Sequence, residues 1–235
     1  MGALAGCQES GFDESKETAR PLKVQHALDE LTGTKVPGQA ERPLTLTYDA
    51  LGDTSALGVR PAAALIEGGR PPSYLHAAAR GVEALDSFAL GQIEAIEPDL
   101  ILGAKELQGD EYDELKKIAP TVMSEGYDWI LNLRLHGEAL GRTNDAEQLL
   151  IDWDNRVAKV KGAIAGRDLS VRFVSRVREF DLGPGSFAAS LLKELGLKEG
   201  SGGQDVLVVR AGQEWVGTGG LLGARDALAD VAAAL

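Results

Sequence analysis

Only one of the 235 residues is a cysteine, Cys7. The chain therefore forms no internal disulfide and no multi-thiolate metal site. Histidine is nearly as scarce: His26, His76 and His136 are the three present, far apart in sequence. That separation offers no ligand spacing for direct capture of bare zinc or manganese, so any metal is expected to arrive already chelated and no direct metal ligand is assigned. Basic residues run short as well, 24 against 36 acidic ones, for a formal net charge of −12. Such a balance repels phosphate backbones and anionic lipid head groups, which excludes nucleic acid as a partner. No apolar run reaches the roughly 18 residues that a membrane-spanning helix needs. P-loop, Gly-x-Ser-x-Gly and dinucleotide motifs are missing too. The Gly183 to Ser186 stretch reads as a turn with Ser186 capping the helix that starts at Phe187, not as a nucleophile. The expectation is a protein that is not an enzyme and has no intrinsic cofactor.

What is present is a hydrophobic fraction of 44%, ample for a substantial core. Near the start, Leu4, Ala5, Gly6 and Cys7 resemble a bacterial lipobox, which makes Cys7 the candidate lipidated residue. Gln8 to Arg20 is polar and turn-rich, the composition of a flexible tether. Val24 to Val36 suggests a hairpin turning at Thr32 and Gly33, and Arg42 to Tyr48 alternates like a first core strand. A short helix through Leu51 and Leu57 leads to a strand over Val59 to Ile66. Next come a helix over Ala89 to Glu97, a buried strand at Leu100 to Gly103, and a helix over Glu111 to Ile118 stopped by Pro120. Strand and helix alternate, the signature of an α/β sheet of mainly parallel strands.

A long helix is expected from about Asp145 to Ala165. Asn144 and Glu147 form a capping box, and Ala146, Leu149, Leu150, Trp153, Val157, Val160 and Ile164 make one apolar stripe. Beyond it the α/β pattern resumes, with strands at Ser170 to Phe173 and Val206 to Val209 and helices at Phe187 to Leu195 and from Leu221. The fold class is α/β: two Rossmann-like lobes with mainly parallel sheets, joined by one long rigid helix. In residue terms this means a lipoprotein signal remnant and tether over 1–20, a first lobe over 21–143, the linker helix over 144–166 and a second lobe over 167–235.

These residues carry a family resemblance. Pro37, Gly38, Glu41 and Arg42; Leu57 to Pro61; Ile96 to Ile101; Ile118 to Val122; and Asp128, Trp129, Asn132, Leu133 with Gly137 to Gly141 all resemble the iron-siderophore binding proteins of ABC importers. So do Gly183 to Phe187 and, at the end, Trp215, Gly219 to Leu222, Ala224 and Arg225. The resemblance runs collinearly over almost the whole chain. It implies a class III, helical-backbone, extracytoplasmic substrate-binding protein. Such a protein captures a ferric siderophore between its lobes and delivers it to permease subunits. It would be a monomer, held at the outer face of the cytoplasmic membrane by its lipid or free in the periplasm. A haem- or corrinoid-binding protein on the same scaffold stands as the alternative, with an enzyme on a doubly wound fold behind it.

A ferric siderophore calls for aromatic platforms and guanidinium donors at the C-terminal ends of parallel strands. Tyr48, Arg172 and Trp215 rank first as ligand-binding residues, followed by Arg176, Arg178, Tyr74, Lys105 and Trp129. Several have a plainer role open to them: Trp129 as core, Arg178 paired with Glu179 or Asp181, Tyr74 packed on Pro71 and Pro72. The resemblance also implies one exposed glutamate per lobe for permease docking. Its first-lobe position falls near Gly91, so Glu94 on the same helix is the candidate. In the second lobe, only Arg210 to Glu214 separate the Val206 strand from Trp215, too few for a parallel crossover. Segments are expected to be missing there and near Gly200 to Gly203.

Overall fold

The computed structural model describes residues 20–126, 128–167, 169–174, 187–199, 206–210 and 220–235. Cys7, the tether up to residue 19, Arg176, Arg178, Ser186 and Trp215 lie outside the described residues, as do the stretches at 200–203 and 211–214 where missing segments are expected.

Strands β1 (Leu22–His26) and β2 (Asp29–Val36) pair antiparallel. Their turn is at Ala27 and Leu28, since His26 faces Asp29, and not at Thr32 and Gly33 as the sequence suggested. The reason is local. The Asp29 carboxylate accepts from the Thr32 hydroxyl, from Gly33 N–H at 3.1 Å and from the Thr34 hydroxyl at 3.2 Å. These bonds wind residues 29–33 into a bulge inside β2, with Gly33 at φ +66°.

The main sheet holds β3 (Pro43–Thr45), β4 (Ala63–Leu65), β5 (Glu83–Leu85), β6 (Leu100–Ala104) and β7 (Thr121–Ser124), all parallel, in the order β5-β4-β3-β6-β7. Both faces are covered, so successive residues feed different cores. Leu100 and Leu102 enter one cluster with Val122, while Ile101 enters another with Leu44 and Met123. Between the strands run helices α1 (Tyr48–Ala56), α2 (Leu90–Ala95), α3 (Lys105–Gln108) and α4 (Tyr112–Ile118). The first core strand is shorter than expected because Thr47 ends it. Its hydroxyl accepts Ala50 N–H at 3.2 Å, capping α1 and making Tyr48 the first helical residue. Val59 to Pro61 likewise stays outside β4.

Two of the motifs behind the resemblance turn out to hold one joint. The Asp99 carboxylate accepts the N–H groups of Glu41 and Arg42 at 2.6 and 3.0 Å. The Arg42 side chain in turn donates to the carbonyls of Ile96 and Glu97. This lock fixes the entry of β3 beside that of β6.

Helix α5 (Trp129–Ala139) leads to α6 (Thr143–Ile164), which at 22 residues is about 33 Å long. Ala146, Leu150, Trp153, Val157, Val160 and Ile164 are buried along it, worth about 1.5–3 kcal/mol for each of the larger side chains. The expected capping box is absent. The helix starts at Thr143 with no side-chain cap, and Glu147 instead takes Arg134 of α5 at 2.7 and 3.3 Å, a stronger charged partner than a backbone N–H. Gly137 allows the close crossing of α5 and α6: a Cβ there would meet the Ala146 Cβ at 2.7 Å.

After α6, β8 (Ser170–Val174) is the centre of a three-stranded parallel sheet, flanked by β9 (Lys198–Glu199) and β10 (Val206–Arg210). Helices α7 (Phe187–Leu195) and α8 (Leu221–Ala234) cover it. The α6 stripe, Val171, Leu191 and Leu228 join Leu100 and Leu133 in one cluster, so a continuous core runs through both sheets.

Candidate functional site

The order β5-β4-β3-β6-β7 places a topological switch between β3 and β6, where the chain stops adding strands on one side and begins on the other. Crevices open at such points, outside the carboxyl ends of the strands. A cavity of about 500 Å³ occupies this one. Its wall is drawn from the C-terminal end of every strand in the sheet: Leu46 to Asp49 after β3, Leu65 and Glu67 after β4, Phe88 after β5, Ala104 and Glu106 to Gln108 with Glu111 after β6, and Ser124 and Gly126 after β7.

Several lining groups are committed to holding the wall. Gln108 accepts Ala104 N–H at 3.0 Å and donates to Leu46 carbonyl at 3.4 Å, bridging the ends of β3 and β6. Ser124 donates to Gly103 carbonyl at 3.2 Å, and Glu106 accepts Gly126 N–H at 2.8 Å. Leu46, Leu65, Phe88 and Leu107 supply apolar surface, with Leu107 68% exposed.

Asp49 lies in the first turn of α1, beside the approach of the second lobe at Gly220. Burial pushes its carboxyl up to about 6, the neighbouring Asp53 carboxylate adds to this, and His136 opposes it. One turn on, Asp53 is fully buried, bound to His136 Nδ1 at 2.8 Å and to Leu221 N–H at 3.2 Å.

Of the residues picked out from sequence, Tyr48 lines the cavity. Lys105 stands next to the wall, but its ammonium is paired with Glu125 at 2.5 Å. Tyr74 packs against the core clusters, and Trp129 is 5% exposed with its ring edge-on to Trp153 at 5.1 Å, so neither reaches the cavity. Arg172 sits half-buried on β8, in register with Val208, and is not among the lining residues. Glu94 is exposed on α2. Residues that the sequence reading missed include Asp49, Phe88, Leu107 and Glu111. Extending the strand-end rule by one residue from Tyr48 finds Asp49, whereas Phe88 follows a strand with no apolar signal of its own.

A parallel sheet with a ligand-sized cavity at its switch point, linked through a long helix to a second parallel sheet, defines the α/β class of the fold. The chain belongs to the periplasmic binding protein family, whose model matches residues 45–196. It is 30% identical over 211 residues to the "Probable siderophore-binding lipoprotein YfiY" of Bacillus subtilis, covering 83% of this chain and 63% of that protein. It is 28% identical over 211 residues to the iron(3+)-hydroxamate-binding protein FhuD of the same organism, covering 84% and 65%. The chain thus spans under two thirds of the length of either relative. Among solved structures, Staphylococcus aureus SirA complexed with staphyloferrin B superposes with a TM-score of 0.68 at 21% identity, covering 90% of this chain and 96% of SirA. This last likeness establishes the fold.

Proposed function

We propose that this chain is the extracytoplasmic substrate-binding component of an ABC importer and captures a ferric siderophore in the switch-point cavity. The observation that carries this reading is the cavity itself. All five strands of the sheet deliver side chains to it, and its volume of about 500 Å³ lies within the range of small-molecule sites. Relatives named for siderophore and iron(3+)-hydroxamate binding support the ligand class.

The protein acts by binding and release, without turnover. Tyr48 is the aromatic platform on the first-lobe wall. Arg172, Arg176, Arg178 and Trp215 are the second-lobe groups proposed to complete the site, and Glu94 the exposed carboxylate presented to the permease. Cys7 is proposed as the lipid anchor of a monomeric protein at the outer face of the membrane. No helix among the described residues is long and apolar enough to cross a membrane.

The test is a titration of intrinsic tryptophan fluorescence with a ferric trihydroxamate, beside a visible-absorption titration with haem. Saturable quenching at one equivalent, with the chelate recovered unchanged, is the expected result. Stoichiometric haem binding with no response to ferric chelates would overturn it in favour of the haem reading.

A further inference from the structure

Strand β7 is the last in the main sheet, and Met123 ties it to the β1–β2 hairpin. Its N–H donates to His26 Nδ1 at 3.3 Å, and its carbonyl accepts Ala27 N–H at 3.2 Å. His26 Nδ1 also accepts Leu28 N–H at 3.3 Å, inside the hairpin turn. An imidazole only 5% exposed thus takes the place of a strand neighbour at the sheet edge. The residue after Met123 is Ser124, which lines the cavity.

Two N–H groups converge on Nδ1, so that nitrogen carries the lone pair and the ring proton sits on Nε2. Nε2 donates to the Thr34 hydroxyl at 2.9 Å, and Thr34 donates in turn to Asp29 at 3.2 Å. Tyr112 of α4 packs edge-on against the ring at 5.7 Å, its hydroxyl 3.5 Å from Nε2. Both ring nitrogens are therefore in use. An added proton has only Nδ1 to go to, where it faces two N–H donors and removes the acceptor that holds Met123.

The surrounding charges do not reverse this. Asp29 on β2 attracts the proton, but its oxygens are taken by Thr32, Gly33 and Thr34. Burial outweighs its pull and holds the imidazole below its ordinary 6.5. On α4, Lys116 stands over the Tyr112 ring at 5.1 Å and pairs with Asp113, while Lys117 pairs with Glu114. On α5, which packs against β1, Arg134 is bound to Glu147 and His136 to Asp53, and Glu138 is exposed. Lys23 of β1 with Glu30 and Lys35 of β2 are exposed, and residues 121–124 of β7 carry no charge.

We infer that His26 is a pH-sensitive latch: the neutral imidazole holds the β1–β2 hairpin on the edge of β7, and its protonation releases the hairpin from Met123 while the five-stranded sheet stays folded. The latched state disfavours the proton. The joint is therefore fully held above about pH 6.5 and loosens as pH falls from there toward the lower value of the folded protein. The latch does not depend on the ligand, so its failure would leave the siderophore reading standing.

The experiment follows amide hydrogen exchange of the full chain from about pH 7.5 to about pH 5, corrected for the intrinsic pH dependence of exchange. Protection of the Ala27 and Met123 amides should fall by up to about tenfold per pH unit below about pH 6.5. Ile101 N–H, bonded to Pro120 carbonyl at 2.9 Å within the sheet, should keep its protection. In His26→Asn an amide oxygen replaces Nδ1 as acceptor and does not titrate, so the hairpin's protection should not follow pH. A second reading on the wild-type protein guards against misfolding of that variant: the Met123 amide resonance should move together with protonation of the His26 ring. Protection retained down to about pH 5, an equal loss in His26→Asn, an equal loss at Ile101, or a Met123 resonance indifferent to His26 overturns the latch.

Discussion

Asp53 Oδ2 and His136 Nδ1 lie 2.8 Å apart, with both side chains fully shielded from solvent. The other oxygen of the same carboxylate accepts Leu221 N–H at 3.2 Å. One buried group thereby ties α1 to α5 and to the N-terminus of α8, where the exposed N–H groups of a helix favour negative charge. The joint lies one helical turn along α1 from Asp49.

Asp53→Ala should therefore be severely destabilising. It leaves the His136 ring and the Leu221 N–H without a partner, and each buried polar group left unsatisfied costs about 1–3 kcal/mol. Denaturant unfolding of the variant measures it. A loss under about 1 kcal/mol would show that the joint contributes little.

Asp49→Asn should instead stabilise the unliganded protein near neutral pH. The folded-state carboxyl is raised to about 6 from its ordinary value of 3.8. The folded state therefore binds an extra proton between those values, and wild-type stability falls as pH rises through that window. The full difference, about 3 kcal/mol at most, applies above about pH 6 and vanishes below about pH 4. Unfolding free energies of both proteins across this range check it. A pH-independent difference would mean that the carboxyl is not buried as described.

Tyr48 and Trp129 should separate ligand binding from stability. Tyr48→Ala should weaken ferric-chelate binding with at most about 1 kcal/mol of lost stability. Trp129→Ala, which removes a buried ring from its contact with Trp153, should cost about 3–5 kcal/mol. Paired titration and unfolding experiments decide this. The reverse pattern would move the site.

Gly137→Val should disrupt the crossing of α5 and α6. Even a Cβ would stand 2.7 Å from the Ala146 Cβ, so the helices must separate. Overpacking of this kind costs about 1–3 kcal/mol, read as a lower denaturation midpoint. Gly162, with nothing near its Cβ position, is the control: Gly162→Ala should be neutral or stabilising.

Much of this architecture was legible before any coordinates. The apolar stripe of α6 reads directly because Trp153, Val157, Val160 and Ile164 recur at helical spacing, and β6 reads because buried parallel strands are continuously apolar. Helix α5 was not legible, although its buried face has the same periodicity. That face is Trp129, Asn132, Leu133, His136 and Gly137, and a stripe containing an amide, an imidazole and a glycine carries no hydrophobic signal. The polar members are buried because partners outside the helix satisfy them: Asp53, far away in sequence, for His136, and the Gly126 carbonyl in the turn before the helix for Asn132. Strand β5, three residues long and mostly exposed, gives no pattern either.

The same division runs through the site. Local order along the chain suffices to place Tyr48 at a strand end, because strand, cap and helix follow one another there within a few residues. Local order also carries the family's collinear motifs, several of which serve the fold, as Arg42 and Asp99 do. Which side chains share a cavity was decided only by the tertiary structure. Strand order within the sheet brings Asp49, Glu67, Phe88 and Glu111 to one crevice, although up to 62 positions separate them in the chain. Trp129 was likewise assigned by packing: an aromatic residue at a helix start serves ligand or core equally well until the neighbouring helix supplies Trp153, and burying that ring pair favours the core.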